Sequence, residues 1–194
     1  TLYAGGDSLT LGYGSSAQTN PLLSWPWQVS QNIGYACAMN AESGRSMNDQ
    51  TDYFTAGTIT PAGRFCDIFI DGLIYNDAIE ALSTSGFTTD EETMLTKALP
   101  YITLTTGKYL SLDLFPLSTT DALSPSNQTT YNNAKRAGVI ANGDARASSV
   151  STAGCFDTEL AGPAAPHYNY VGLDGIVASL TALIRKTDAD GVRV

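Results

Sequence analysis

Four residues of this chain have the types that nucleophilic attack on a carbonyl group requires. Ser8 follows the apolar run 2–4 and lies in the glycine-flanked stretch 6–12, where a tight turn can present its hydroxyl. His167, the only histidine in the chain, can take the serine proton and return it to the leaving group. The backbone N–H groups of Ser8 and Gly44 and the side-chain amide of Asn76 can stabilise the resulting oxyanion.

The predicted elements place these residues at one edge of a sheet. Apolar patterns predict strands at 2–5, 35–39, 65–73, 109–115 and, less regularly, 150–160. They predict helices at 24–32, 46–56, 129–140 and 171–184, with two more beginning at 76 and at 88 or 89. This alternation is typical of a parallel sheet covered on both faces, which binds ligands at the carboxyl ends of its strands. Ser8, Gly44 and Asn76 each follow a predicted strand, and His167 precedes the last helix.

In two of the predicted helices, the residue pattern indicates where particular side chains lie. In the helix that begins at 76, Ile79 and Leu82 lie on one apolar face. In the helix that begins at 88 or 89, Glu91 and Glu92 lie in the first turn, where acidic side chains suit the helix dipole. We therefore expect Ile79 to be buried and Glu91 to be near a helix start.

Length and charge exclude several classes of protein. The chain has 194 residues and is predicted to form a single domain over 1–194. A net charge of -9 and a largest basic group of only Lys135 and Arg136 exclude a nucleic-acid binder. No apolar run approaches the roughly 18 residues of a membrane span.

The remaining composition bears on the compartment and on metal binding. The chain opens directly on strand-like sequence, so no signal peptide is predicted in it. Three scattered cysteines fit neither a disulfide framework nor a metal site, and buried thiols are expected. The acidic, hydroxyl-rich composition favours a domain of a larger extracellular or virion-associated assembly of the phage tail-spike type, although the location is otherwise open.

Four sequence blocks together resemble the SGNH (GDSL-type) hydrolase superfamily. They are Gly6-Asp7-Ser8-Leu9-Thr10, Gly44, Asn76-Asp77 and His167-Tyr168-Asn169-Tyr170-Val171-Gly172. They occur in the family order and span nearly the whole chain. The resemblance implies a flavodoxin-like three-layer α/β/α sandwich with a parallel sheet of about five strands. It also implies ester hydrolysis without metal or cofactor, with Ser8 as nucleophile, His167 as base, and Gly44 and Asn76 as oxyanion donors beside the Ser8 amide.

Two blocks depart from the family pattern. The family usually carries Gly-x-Asn-Asp in the third block, whereas this chain has Ile74 at the glycine position and Gly72 nearby. Either residue can correspond to the family glycine. The fourth block is usually Asp-x-x-His, and here Ala164 precedes His167 by three residues.

The missing aspartate leaves the orientation of His167 open. We interpret the site as a Ser–His dyad in which the carbonyl of Pro163 or Ala164 orients the imidazole. Asp157 and Asp174 are the alternative carboxylates, although their spacing supports neither.

Each block also has an ordinary structural interpretation. Asn76 at a strand end is a good helix N-cap, and Gly44 fits a simple turn. A lone Gly-Asp-Ser-Leu can also be only a turn, and a lone histidine is often a surface or core residue.

The sequence leaves three functional hypotheses. The first is a serine esterase for small acyl esters, favouring O-acetyl groups on a carbohydrate or a small molecule. Its substrate is suggested by the hydroxyl- and tyrosine-rich composition and by the lack of an apolar stretch for a fatty chain. The second, motivated by the missing aspartate, is a catalytically degenerate domain with a carbohydrate-binding or structural role. The third is a lipase or thioesterase.

Overall fold

The protein forms a five-stranded parallel sheet with helices packed around it. The computed structural model describes residues 1–11, 22, 24–55, 66–80, 83–103, 106–114, 123–153 and 170–189. The strands are β1 (Leu2–Gly6), β2 (Cys37–Ala41), β3 (Ile68–Asp71), β4 (Lys108–Leu112) and β5 (Ala147–Val150). The helices are α1 (Ser8–Leu11), α2 (Trp25–Ile33), α3 (Met47–Thr55), α4 (Tyr75–Ile79), α5 (Thr84–Ala98), α6 (Pro125–Asn142) and α7 (Tyr170–Ala189).

The strand order reverses direction at β1. The order is β2-β1-β3-β4-β5, and all four neighbouring pairs are parallel. The chain leaves β1 toward β2 and then crosses back to β3 on the other side of β1, so the direction of winding reverses between β1 and β3. This is the flavodoxin-like order, in which ligands bind at the reversal point. The segments that follow β1 and β3 therefore flank the expected binding crevice.

Helices pack in two groups that complete the three-layer sandwich predicted from the sequence. Helix α2 packs against α7, and α5 packs against both α3 and α6. Because parallel strands are joined by right-handed crossovers, the reversal of winding puts these two groups on opposite faces. The sheet is consequently buried on both sides, and every residue of β1 and β3 is buried.

Aromatic rings join the three central strands. Tyr3, Phe69 and Tyr109 occupy neighbouring register positions on β1, β3 and β4. Their rings are stacked, with centroids 5.1 Å apart in each of the two pairs. Such cross-strand pairs stabilise a sheet by up to about 1 kcal/mol each beyond simple burial. They hold β1 and β3 in the register that aligns their carboxyl ends.

The predicted start of α5 is wrong. The helix begins at Thr84, after Ser83 at the N-cap position, whose hydroxyl accepts from the Gly86 N–H at 3.1 Å. Serine, threonine and glycine are poor helix formers, and the pattern therefore hid this first turn. Phe87 nevertheless anchors it in the core with no exposed surface. Glu91 consequently lies in the middle of α5 and is completely buried.

Two other predictions need correction. The fifth strand is Ala147–Val150; of the predicted range 150–160, residues 151–153 are not in a strand and 154–160 lie outside the described residues. Ser148 and Ser149 are exposed on this edge strand and give no apolar signal. Ile79 is 46% exposed because α4 ends at that residue, so it does not form part of a buried face. The predicted partner of Ile79, Leu82, lies outside the described residues.

The two described cysteines are shielded from solvent to different degrees. Cys66 is buried and Cys37 is partly buried, whereas Cys155 falls outside the described residues. In the part of the chain that the structure describes, no helix has the length and apolar character needed to cross a membrane.

Candidate active site

Ser8 lies directly beyond the carboxyl end of β1, as the first residue of α1. The residue between strand and helix, Asp7, closes the turn through two contacts. Its Oδ1 accepts from the Leu9 N–H at 2.8 Å, and its backbone carbonyl accepts from the Leu11 N–H at 3.1 Å. Ser8 is therefore held on a short strand-to-helix turn at the expected crevice, with 6% of its surface exposed.

Gly44 lies in a tight turn that follows β2. The Arg45 N–H donates to the Glu42 carbonyl at 3.2 Å, which closes the turn. Gly44 has φ +82, a left-handed conformation that side chains other than glycine rarely adopt. The Glu42 N–H in turn donates to the Gly6 carbonyl at 3.2 Å, which fixes this turn against the end of β1.

The side chain of Asn76 connects the two segments. Its Nδ2 donates to the Arg45 carbonyl at 2.9 Å and contacts Asp7 Oδ2 at 3.3 Å. Asn76 is not the N-cap of α4, because Ile74 occupies that position without a side-chain cap. The structure thus brings Asn76 together with the neighbours of Ser8 and Gly44 in the chain.

The loop between β3 and α4 distinguishes the two candidates for the third-block glycine. A Cβ placed on Gly72 would lie 2.6 Å from Thr10 Oγ1 and 3.5 Å from the Gly5 carbonyl. The Gly72 N–H also donates to that carbonyl at 3.0 Å. Ile74, in contrast, is 1% exposed and has its side chain in the core. The close approach that requires a glycine therefore occurs at Gly72.

Asp77 fixes α4 to the start of α3. Its two carboxylate oxygens accept from the Met47 N–H at 3.0 and 3.2 Å, and the side chain has no exposed surface. Burial raises the pKa of Asp77 to about 7, against the lowering effect of the Met47 hydrogen bond. The Asn76-Asp77 pair thus contacts both the turn that contains Gly44 and the helix that follows it.

Asp7 has a similarly raised pKa. Burial raises the pKa of Asp7 to about 7, although the hydrogen bonds from the Leu9 and Thr10 amides act in the opposite direction. Two carboxyl groups beside the proposed site consequently titrate near neutrality.

A second buried polar group lies next to the loop that leads to Asn76. Lys135 on α6 is 1% exposed, and its Nζ lies 2.9 Å from Asp71 Oδ2. The same Nζ donates to the carbonyls of Leu73 at 2.7 Å and Leu112 at 3.0 Å. Glu91 lies beside Asp71, and burial, reinforced by the Asp71 charge, raises its pKa well above the usual range.

The other predicted site residues are His167 and the groups proposed to orient it. His167, Asp157, Pro163 and Ala164 lie outside the described residues. Asp174 is exposed on α7. Among the described residues, no group of histidine, cysteine, aspartate or glutamate side chains could hold a metal ion.

Sequence reasoning missed Arg45, whose buried side chain adjoins Gly44. It also missed the burial of Lys135 and Glu91. A signal was available for these two, because Lys135 falls four residues after Tyr131 and Glu91 four residues after Phe87 on apolar helix faces.

Comparison with known proteins finds this fold among esterases. No protein-family sequence model matches the chain, and no curated protein sequence matches it. A carbohydrate esterase family 2 enzyme with a carbohydrate binding domain from Corynascus thermopiles (Myceliophthora fergusii) is 18% identical. The match to this enzyme has a TM-score of 0.77 and covers 95% of this chain and 65% of that chain.

Two further solved structures match over nearly their full length. The psychrotrophic esterase EstA from a Pseudoalteromonas species has a TM-score of 0.71 and 12% identity, with 96% of this chain and 97% of that chain covered. A member of the lipolytic protein G-D-S-L family from Veillonella parvula has a TM-score of 0.70 and 14% identity, with 96% and 97% covered. The chain therefore shares its fold with these esterases and with a lipolytic protein of the G-D-S-L family, which is the fold that the resemblance of its blocks implied.

Proposed function

We propose that this protein is a serine esterase that hydrolyses small acyl esters, with O-acetyl groups on a carbohydrate as the favoured substrate. The observation that carries the proposal is the Asn76 amide, which bonds to the neighbours of both Ser8 and Gly44 at the strand reversal. Three segments far apart in sequence thereby meet, and this supports the assignment of Ser8 as nucleophile and of the Ser8, Gly44 and Asn76 N–H groups as oxyanion donors.

The proposed reaction proceeds through an acyl-enzyme. Ser8 Oγ attacks the ester carbonyl carbon while His167 takes the hydroxyl proton, and the carbonyl oxygen becomes an oxyanion. The oxyanion accepts from the N–H groups of Ser8 and Gly44 and from Asn76. Collapse expels the alcohol, which leaves with the proton from His167. Water, deprotonated by His167, then attacks the acyl carbonyl carbon. Cleavage of the bond to Ser8 Oγ releases the acid, and His167 returns the proton to Ser8 Oγ.

In our proposal, the oxyanion engages one N–H of the Asn76 amide. The contact with the Arg45 carbonyl is short, at 2.9 Å, whereas the contact with Asp7 Oδ2 is longer, at 3.3 Å. The second N–H is therefore the more weakly bonded of the two, and in our proposal the oxyanion takes it up.

Two features support the remaining parts of the proposal. Asp174 is exposed on α7, which favours a Ser–His dyad over a triad completed by that residue. The acetyl-carbohydrate substrate is supported by the fold shared with a carbohydrate esterase family 2 enzyme and by the composition.

The competing function is a catalytically degenerate domain that binds carbohydrate or serves a structural role. The specific observation in its favour is Ala164 in place of the expected aspartate. A lipase or thioesterase with a preference for long acyl chains is the third candidate.

Hydrolysis of p-nitrophenyl acetate tests the proposal. We expect Ser8→Ala to abolish turnover, while the matched control Ser148→Ala, on the exposed face of β5, retains the wild-type rate. Equal rates for wild type and Ser8→Ala would support the degenerate domain. A series of p-nitrophenyl esters from acetate to octanoate should show falling kcat/KM, whereas a rise with chain length would indicate a lipase or thioesterase.

A further inference from the structure

We propose that Arg45 is a positioning residue that fixes both the Gly44 and the Asn76 donors of the oxyanion site. The proposal rests on the proposed esterase function and deepens it. Arg45 does not touch the substrate in this account. It acts through the turn that contains Gly44 and through the amide orientation of Asn76.

The guanidinium of Arg45 joins three parts of the chain. Its Nη1 donates to Gln50 Oε1 at 2.9 Å and to the Asn40 carbonyl at 3.1 Å, and it also contacts Asn40 Oδ1. Its Nη2 donates to Glu42 Oε2 at 2.9 Å. The Arg45 side chain is 5% exposed and that of Glu42 is 62% exposed, so the bonds to Asn40 and Gln50 are better shielded from water than the bond to Glu42. The end of β2, the following turn and α3 are thus held by one planar group.

The backbone of the same residue contacts both proposed donors. The Arg45 N–H closes the turn by donating to the Glu42 carbonyl at 3.2 Å, and Gly44 lies within that turn. The Arg45 carbonyl accepts from Asn76 Nδ2 at 2.9 Å. Movement of the Arg45 backbone would therefore displace the Gly44 N–H and rotate the Asn76 amide together.

Gly44 requires such an external anchor. A glycine has little conformational preference of its own, and φ +82 is only one of several regions open to it. Oxyanion stabilisation depends on donors that are already in place before reaction, and a misplacement of about 1 Å can lower the rate by about 10²-fold. The bonds of Arg45 restrict the turn to one conformation.

The fork of the guanidinium, rather than its charge, performs this task. Arginine presents several N–H groups in fixed directions, whereas the ammonium of lysine is a single point charge on a flexible chain. Arg45→Lys retains the charge and cannot reach Asn40, Glu42 and Gln50 at the same time. Comparison of Arg45→Lys with Arg45→Met therefore separates positioning from a through-space effect of the charge on the oxyanion.

The test measures kcat and KM for p-nitrophenyl acetate in wild type, Arg45→Met and Arg45→Lys. Both variants are expected to lose about 10- to 100-fold in kcat with little change in KM, because the donors act on the transition state. The matched control is Arg146→Met. Arg146 also bonds to backbone carbonyls, those of Leu99 and Ile102, and to Asp144, but it lies near β5. Arg146→Met should lower the thermal midpoint without lowering kcat.

A double-mutant cycle with Asn76→Ala provides a second readout that loss of stability would not move. Because Arg45 acts partly through Asn76, adding Arg45→Met to Asn76→Ala should lower kcat less than Arg45→Met does alone. If Arg45→Met fails to fold, Gln50→Leu removes one acceptor of Nη1 and should lower kcat in the same direction by a smaller factor.

The possible results separate the two proposals. Wild-type kcat in both Arg45 variants, with turnover still dependent on Ser8, would overturn the role of Arg45 and leave the esterase proposal intact. Wild-type kcat in Arg45→Lys alone would also overturn it, in favour of a charge effect. Hydrolysis that does not depend on Ser8 would overturn the proposed function, and the role of Arg45 with it.

Discussion

Two buried polar clusters flank the loop between β3 and α4, and they use similar residues in different ways. The core cluster consists of Asp71, Glu91 and Lys135, and it joins the ends of β3 and β4 to α5 and α6. The site cluster consists of Asp7, Arg45, Asn76 and Asp77, and it joins the turns that follow β1 and β2 to α4. The core cluster therefore connects two strands of the sheet to the helices that cover them, whereas the site cluster fixes the turns that follow β1 and β2.

The clusters differ in how their carboxylates are compensated. Asp71 has an ion-pair partner in Lys135 at 2.9 Å. Asp7 and Asp77 have no ion pair within the described residues and accept from uncharged N–H groups instead, and burial raises the pKa of each to about 7. The difference indicates that removal of a core partner should act on folding, and that changes in the site cluster should act on turnover and on pH dependence.

Lys135→Met would break the core cluster and has the largest expected effect on stability. The substitution leaves a buried carboxylate and three carbonyls without their cation, which typically lowers the free energy of unfolding by about 3–5 kcal/mol. Chemical denaturation followed by circular dichroism measures it. The control Lys108→Met, at the partly exposed start of β4, should change this free energy by less than about 1 kcal/mol. Equal losses of unfolding free energy in the two variants would show that Lys135 stabilises the fold no more than the partly exposed Lys108 does.

Asn76→Ala, in contrast to Lys135→Met, should lower turnover more than stability. Loss of one oxyanion donor typically lowers kcat by about 10²–10³-fold, equivalent to about 3–4 kcal/mol in the barrier. Its free energy of unfolding should fall by only about 1–2 kcal/mol, the value of two hydrogen bonds. Steady-state kinetics and denaturation on the same preparation give both numbers. Wild-type kcat in Asn76→Ala would show that Asn76 is not an oxyanion donor.

Asp77→Ala should give an intermediate result in stability. It removes the acceptor of the Met47 N–H at the start of α3, and loss of such a cap lowers the free energy of unfolding by about 1–2 kcal/mol. Asp49→Ala, which removes a more exposed acceptor of the Ser46 N–H, is the comparison and should lower it by about half as much. A larger loss in Asp49→Ala would contradict the importance assigned to the buried contact.

The pH dependence of stability tests whether burial raises the pKa of Asp7 in the folded protein. Folding raises the pKa of Asp7 from 3.8 to about 7, so the folded protein holds a proton that the unfolded chain has lost between these values. Stability therefore falls as the pH rises from about 4 to about 7, by up to about 1.4 kcal/mol per pH unit for each such group. Asp7→Asn should have a shallower slope in denaturation measured across this range. An unchanged slope would show that Asp7 is not protonated in the folded state.

The sequence allowed the central strands, and the contact between the segments that follow β1, β2 and β3, to be predicted for physical reasons. Strands buried on both faces require continuous apolar residues, and β3 has them. Parallel topology then places the segments that follow those strands together. The edge strand β5, with its exposed serines, lacks this signal and was misplaced.

The side-chain contacts within the two clusters could not be predicted from the sequence pattern. A charged residue on a helix is ordinarily solvated, so Lys135 and Glu91 were assigned no role in the core. The bonds of Arg45 join residues from β2, a turn and α3, and their geometry arises only when those elements pack together. Sequence reasoning therefore predicted which segments meet but not which side chains fix them.

Labelling with a fluorophosphonate tests the central claim most directly, because the phosphorus centre reacts with an activated serine and its oxygen occupies the oxyanion position. We predict a single adduct on Ser8, identified by peptide mass spectrometry, absent in Ser8→Ala and formed more slowly in Asn76→Ala. An adduct on another residue, or no adduct in the wild-type protein, would contradict the account.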